Sequence, residues 1–473
     1  MPESLNTILT SICKLLGNFL ATSSPSSVLN IEKGEVGSCL SPSQDLNNFL
    51  AFGQSPGLQR TIIDAMQHAT LRLKRFVAAR FLSALADQFL LFAVPLTIFK
   101  STGELKYSGL AFVIEWIPRI VFFPLAGFVA DRLKPGHLFS GIEFGRALVL
   151  IIALALIACG VSTFGVLSVM MAFLSIAYIL SFVGSEAMLP RNLAASELPK
   201  AHSMLQAVEQ ITQVAGPALA ALISVWDGLN PLLMLGAAMF GTASVILFGF
   251  KTQPMPADQS FSLRALRQSN QQALKVLMQN KVLFHLSALT WVVNLVYGAA
   301  LVVSAAVVVK VFGLPESRFG LLQTVAAIAS IGACTLVPRI ARKLGLPALG
   351  ISSFCAMILA GLVLALSNQY AVYLVGYSAL MACDGAFSVY IRTVRSQIIP
   401  KEHLGKTTGV IGLMNMCSIP LSAALVTVLS AHFSPSGIFG VIFAVAATLG
   451  LALILIGRTA FGYNTLLPPV KVN

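Results

Sequence analysis

Asp87, Glu115, Glu209 and Asp384 each stand in a stretch built mainly of Leu, Val, Ala, Phe and Ile, where an ionised carboxyl is costly. A carboxyl removed from water holds its proton more readily, and a group that takes up and releases a proton is what proton-coupled transport requires. Arg119 follows Glu115 by four residues and shares its helical face. The two either neutralise each other, or Arg119 meets an anionic ligand group while Glu115 or Asp87 exchanges a proton. Glu143 and Arg146, three apart, read as a structural pair. Trp291, Asn294 and Tyr297 share one further apolar run, offering stacking and hydrogen bonds to a ligand, or packing and interfacial anchoring.

The elements that must position these residues follow from composition. The 473 residues are 56% hydrophobic and only 10% charged, with a net charge of +13, and the mean hydropathy is +0.84. A water-soluble domain of that composition would expose large apolar patches, so lipid must solvate most of the chain. A bilayer core is crossed by about 20 apolar residues in helical form. Twelve such windows fall near 76–99, 107–130, 138–160, 163–184, 203–224, 231–250, 283–309, 319–338, 346–366, 370–391, 408–430 and 437–457. The alternation of a β-barrel is missing, so the expected fold is all-α.

The basic residues fall in alternate connections. Arg72, Lys74 and Arg75 precede the first window, Arg132 and Lys134 follow the second, and Arg191 and Lys200 the fourth. Arg264, Arg267, Lys275 and Lys281 lie in the central connection, Arg339, Arg342 and Lys343 after the eighth window, and Arg392, Arg395, Lys401 and Lys406 after the tenth. Since basic loops stay in the cytoplasm, both termini are expected inside. The basicity is thus topological, and no aromatic–basic interleaving marks a nucleic-acid surface.

Enzymatic signatures are weak throughout. The seven cysteines form no CxxC pair, and the five at 159, 334, 355, 383 and 417 read as small core residues. Gly405-Lys406-Thr407 resembles the end of a phosphate loop, but Pro400 occupies the position of its first glycine. Neither a cofactor nor a metal site is expected. The central connection, 251–282, begins with a Pro-containing linker and continues as an amphipathic basic segment suited to a membrane surface. It divides 76–250 from 283–457, and these blocks echo each other: Leu198 and Leu404, like Lys200 and Lys406, are separated by 206 residues, and Gly127 and Gly332 by 205. Two related six-helix halves suit a central site with alternating access.

Gly127-x-x-x-Asp131-Arg132-x-Lys134-x-Gly136-His137 resembles the loop signature of the major facilitator superfamily, usually written G-x-x-x-D-R/K-x-G-x-R/K-R/K. The resemblance covers about 75–457 and implies twelve transmembrane helices in two pseudo-symmetric six-helix halves. It also implies that Gly127 permits close helix approach while Asp131 and Arg132 bond to a partner helix and hold one side shut. "RFLSALADQFLLFAVPLTIF" at 80–99, "LPRNLAASELPKAHSM" at 189–204 and "QVAGPALAALI" at 213–223 are similar to the drug and siderophore exporter branch. Gly216-Pro217 looks like the core of that branch's antiporter motif, although Ala220-Ala221 stand where glycines are expected. Small-residue packing accounts for the same letters.

The resemblance implies a proton-coupled exporter of a small molecule in the inner membrane, with a siderophore as favoured cargo, membrane lipids as its surroundings and a monomer as its state. Multidrug or macrolide efflux and lysophospholipid flipping are the alternatives, ahead of a membrane-embedded enzyme or sensor. In the family the first and fourth helices of each half line the pore, which favours Asp384 as a cavity residue and makes Glu143 and Arg146 peripheral. Residues 1–75 read as a cytoplasmic extension, largely disordered from the Ser-, Asn-, Gly- and Pro-rich composition of 23–60, and 458–473 as a cytoplasmic tail. Met66 heads a short basic lead into the first window, so residues 1–65 are expected to be dispensable.

Overall fold

The computed structural model describes residues 56–102, 114, 117–132, 135–223, 229–250 and 262–461. Two compact units divide at residue 76, the second comprising 77–473. Every contact below lies in the second unit. Glu115 and Lys134 lie outside the described residues, as do residues 1–55 and 462–473.

The described elements are helical. In chain order they are α1 (Pro56–Thr102), α2 (Phe123–Ala130), α3 (Pro135–Ala158), α4 (Thr163–Asn192), α5 (Leu198–Ile223), α6 (Leu229–Leu247), α7 (Leu263–Gln279) and α8 (Lys281–Ala306, continued by a π turn at Val307–Val311). There follow α9 (Glu316–Leu344), α10 (Leu346–Leu366), α11 (Tyr370–Ile398), a 3-10 turn at Lys401–His403, α12 (Leu404–Met416), α13 (Ser418–Leu429) and α14 (Pro435–Phe461). Ten candidate spans among the described residues are long and apolar enough to cross a membrane, α12 and α13 counting together. The second and fifth expected spans correspond to α2 and α5, outside that ten.

Apolar side chains cover the outside. Phe144, Val245 and Val375 are more than 60% exposed on helices whose other faces are buried, as hydrocarbon solvation requires. Three of the cysteines expected in the core, Cys159, Cys355 and Cys417, also face outwards, while Cys334 is buried. A thiol is small and apolar enough for either environment.

Several boundaries differ from expectation for physical reasons. Residues 56–75, expected to belong to a largely disordered extension, are helical, with Pro56 at the helix start where its missing N–H costs nothing. The helices α4 and α11 run on past their apolar windows, so Arg191, Arg392 and Arg395 are helical rather than loop residues. The charges of Arg191 and Arg392 are retained because partners await them, as described below. The eleventh expected span breaks at Cys417, where Pro420 cannot donate to the Met416 carbonyl. Gly345, at φ +82°, makes the tight link between α9 and α10.

Across the chain, α2 packs on α12 and α5 on α9, while α3 lies on α6 and α4, and α9 on α10 and α11. Each of the first two pairings joins an element before the central connection to one after it.

Candidate functional site

Three clusters of polar side chains are built into the apolar bundle. The first joins α1, α3 and α4. Arg146, 1% exposed, donates to Asp87, to Ser83 Oγ at 2.9 Å and to Glu143 Oε2 at 3.3 Å. Ser83 and Ser181 donate to Glu143 Oε1 at 2.9 and 3.3 Å, and Arg80 donates to Ser181. The Arg146 guanidinium lies 4.2 Å from the centre of the Phe240 ring on α6. Two cations and two carboxylates neutralise one another here, the condition for burying charge in hydrocarbon. Asp87, expected as a proton-coupling acid, is therefore paired with Arg146. Glu143 and Arg146 form the structural pair expected of them, and Arg146 also partners Asp87, a pairing invisible in sequence because it spans 59 residues.

Arg119 sits beside this cluster, 4.5 Å from the centre of the Tyr178 ring on α4, and its charge acts on Asp87. A guanidinium over an aromatic face is held in place yet can still meet an anion.

The second cluster ties the two parts of the chain together. Arg392 on α11 donates to both carboxylate oxygens of Glu209 on α5, at 3.1 and 2.9 Å, and lies 3.6 Å from Glu186 Oε1 on α4. His202 Nδ1 is 3.9 Å from the same Glu186 oxygen, and its Nε2 is 3.3 Å from Ser396 Oγ. Ser203 donates to the Cys334 carbonyl on α9. Glu209, expected as a proton-coupling acid, thus belongs to a bidentate ion pair. Arg80, Ser185, Glu186 and Glu209, together with Ala84, Phe182, Leu205 and Val208, line a small cleft beside it.

The third cluster lies where α2 meets α12. Asp131 Oδ1 accepts from the Gly405 N–H and Oδ2 from the Lys406 N–H, both at 2.8 Å. Its carboxylate thereby sits at the positive end of the α12 dipole, the role a bound anion would fill. Gly405-Lys406-Thr407, which looks like a phosphate loop, uses its backbone for this internal carboxylate. Arg191 donates to Asp131 Oδ1 at 2.6 Å, to the Ala130 carbonyl at 3.2 Å and to the Lys401 carbonyl at 3.0 Å. Close approach depends on glycine: a Cβ at Gly127 would lie 2.5 Å from the Gly405 carbonyl oxygen, and one at Gly409 3.1 Å from Gly127 Cα. Arg132, expected to reach a partner helix, instead folds back, donating to the Phe128 carbonyl at 3.2 Å and covering the Phe128 ring at 3.6 Å. Its own turn satisfies it at less entropic cost than reaching across.

Asp384 differs from the other acids. It is 8% exposed in the middle of α11, and among the described residues it has no hydrogen-bond or ion-pair partner. Arg392, about two turns along the same helix, is the cation whose charge acts on it, and its own charge acts on Tyr297 of α8 and Cys334 of α9. Of the other expected ligand residues, Trp291 is half-buried, and Asn294 makes only a long 3.5 Å contact with the Asn415 carbonyl on α12. Gly216 and Pro217 serve packing: a Cβ at Gly216 would lie 2.5 Å from Gln88 Cβ on α1.

Residues 76–391 match the Major Facilitator Superfamily. An uncharacterised MFS-type transporter of Sinorhizobium fredii, y4rN, is 25% identical over 345 residues, 70% of this chain and 82% of that protein. Among solved structures, a bacterial homologue of the iron transporter ferroportin in an outward-facing state superposes with a TM-score of 0.66 at 17% identity, covering 81% of this chain and 98% of that one. The human organic anion transporter MFSD10 gives 0.63 at 14% identity, covering 80% and 99%.

Proposed function

The chain belongs to the Major Facilitator Superfamily, and from that premise we propose that this secondary transporter is a proton-coupled exporter. Its cargo is a small organic molecule, a siderophore foremost, and it works by alternating access in the inner membrane. The observation that carries the reading is Asp384, a buried carboxyl without a partner in a bundle whose other described buried acids are engaged. An acid that no fixed cation neutralises is the group able to exchange a proton as access alternates.

The clamp between α2 and α12 supports the direction. Arg132, Arg191, Lys401 and Lys406 surround it, which favours a cytoplasmic position for that end and for both termini. With Asp131 holding α12 there, the cytoplasmic end is shut. In this reading the exporter acts as a monomer.

Arg119 is the cargo's anion contact in this reading, held over Tyr178 beside the first cluster. Replacing Arg119 with Ala should raise KM for a carboxylate-bearing siderophore about tenfold, the value of one charge-assisted contact of ~1.4 kcal/mol, and leave a cationic dye little affected. If Arg119→Ala combined with Glu115→Gln transports the siderophore at the wild-type rate, Arg119 is a structural partner only.

The direct test uses proteoliposomes with an acidic lumen. Inside-out molecules should accumulate siderophore against its gradient, and a protonophore should stop accumulation. Accumulation indifferent to the protonophore would remove proton coupling.

A further inference from the structure

Helix α7 carries an ordered sequence of surfaces. At 3.6 residues per turn, Ser269, Ala273 and Leu277 form one line, and all three are buried. Leu277 belongs to the apolar cluster that holds Phe123 and Ala130 of α2 against Leu404 and Ile411 of α12. Gln272 accepts from Lys406 Nζ at 2.8 Å, so the helix is fixed in rotation on the clamp. The sector beside the buried line is apolar yet uncovered: Leu263 is 85%, Leu274 51% and Met278 60% exposed. Arg267 stands within that sector and Arg264 and Lys275 just beyond it, all exposed, followed by Gln268, Gln272 and Gln279. The helix contains no acidic residue.

Asn280 alone separates α7 from α8. Its side chain caps α8 by accepting from the Leu283 N–H at 3.0 Å, and α8 begins a candidate membrane span at Lys281. The last two turns of α7, with Leu274 and Met278, are therefore at the membrane boundary. An apolar sector bordered by three cations and no anions, at that depth, matches a bilayer surface with negative headgroups.

We propose that α7 is a lipid-docking element: Leu263, Leu274 and Met278 enter the acyl boundary of the bilayer that holds the protein, and Arg264, Arg267 and Lys275 bind anionic phospholipid headgroups. Because Leu277 and Gln272 join the same helix to α2 and α12, docking also braces the clamp.

The test places the environment-sensitive fluorophore NBD on a cysteine at position 274 (Leu274→Cys) of the full chain, with exposed native cysteines replaced. The protein is held one copy per nanodisc, in phosphatidylcholine alone or with one quarter phosphatidylglycerol. Adding phosphatidylglycerol should shift emission to the blue and reduce iodide quenching several-fold, an effect that 0.5 M salt or the triple variant Arg264→Gln, Arg267→Gln, Lys275→Gln removes. Emission characteristic of water in both lipids would overturn the proposal, as would equal protection in both lipids that survives the triple variant. Protection that arises only with two copies per disc would assign the face to a second chain and overturn it too. Cargo transport is not the readout, so failure here is distinct from failure of the exporter reading.

Discussion

Asp384→Asn should abolish accumulation of cargo against a gradient while leaving cargo exchange between two equal pools. Asparagine matches the volume and polarity of aspartate but cannot carry the proton. Loss of coupling is therefore expected to reduce pH-driven uptake to the level of protein-free liposomes, whereas counterflow, which moves no net proton, should persist. Folding should survive, because among the described residues Asp384 makes no hydrogen bond or ion pair that the change would break, and Arg392, whose charge acts on it from about two turns along the helix, keeps Glu209 and Glu186 as its partners. Asp87→Asn provides the contrast. It removes the counter-charge of Arg146 and leaves a buried cation with Glu143 alone, an expected loss of roughly 3–5 kcal/mol for a broken buried pair. That variant should fail through lower thermal stability and membrane abundance. Wild-type uptake by Asp384→Asn would sink its assignment as the proton carrier.

What could be read from the sequence divides along a physical line. Helix class and approximate position follow from hydropathy, a local quantity, and α10 occupies the expected 346–366. Gly127 and Asp131 were legible because a short spacing fixes them on one turn and its following loop. Their partners were less so: Gly405, Gly409 and Arg191 lie 60 or more residues away, and only the repeat between the halves points towards 405. The ends of α4 and α11 were misjudged for the same reason. Hydropathy ends a span at the first charges, yet Glu186 and Arg392 prolong their helices by neutralising each other across the bundle. The distinction among Asp87, Glu209 and Asp384 is wholly tertiary. All three look alike in their local windows, and only distant arginines separate the paired acids from the unpaired one.

Asp131→Asn should open the clamped end. The carboxylate holds two backbone N–H groups at the start of α12 and the Arg191 guanidinium at once. Asparagine keeps one acceptor, loses the charge that favours the helix N-terminus and presents an N–H₂ group to donors. With charge-assisted bonds contributing about 1.5–3 kcal/mol each, a loss on the order of 3 kcal/mol is expected, which moves the equilibrium between closed and open forms roughly 100-fold. Cys334 is a built-in reporter, because it is fully buried where Ser203 of α5 bonds to its carbonyl, on the other helix pairing that joins the two parts of the chain. Opening exposes it. In protein whose exposed cysteines have been replaced, maleimide should label Cys334 many-fold faster in Asp131→Asn than in the parent, with the melting temperature changed little and uphill transport reduced. Faster labelling with a collapsed melting temperature would indicate unfolding instead of opening. Unchanged labelling with normal transport would reduce Asp131 to an anchor of its loop, since a contact that biases neither form cannot gate the path between them.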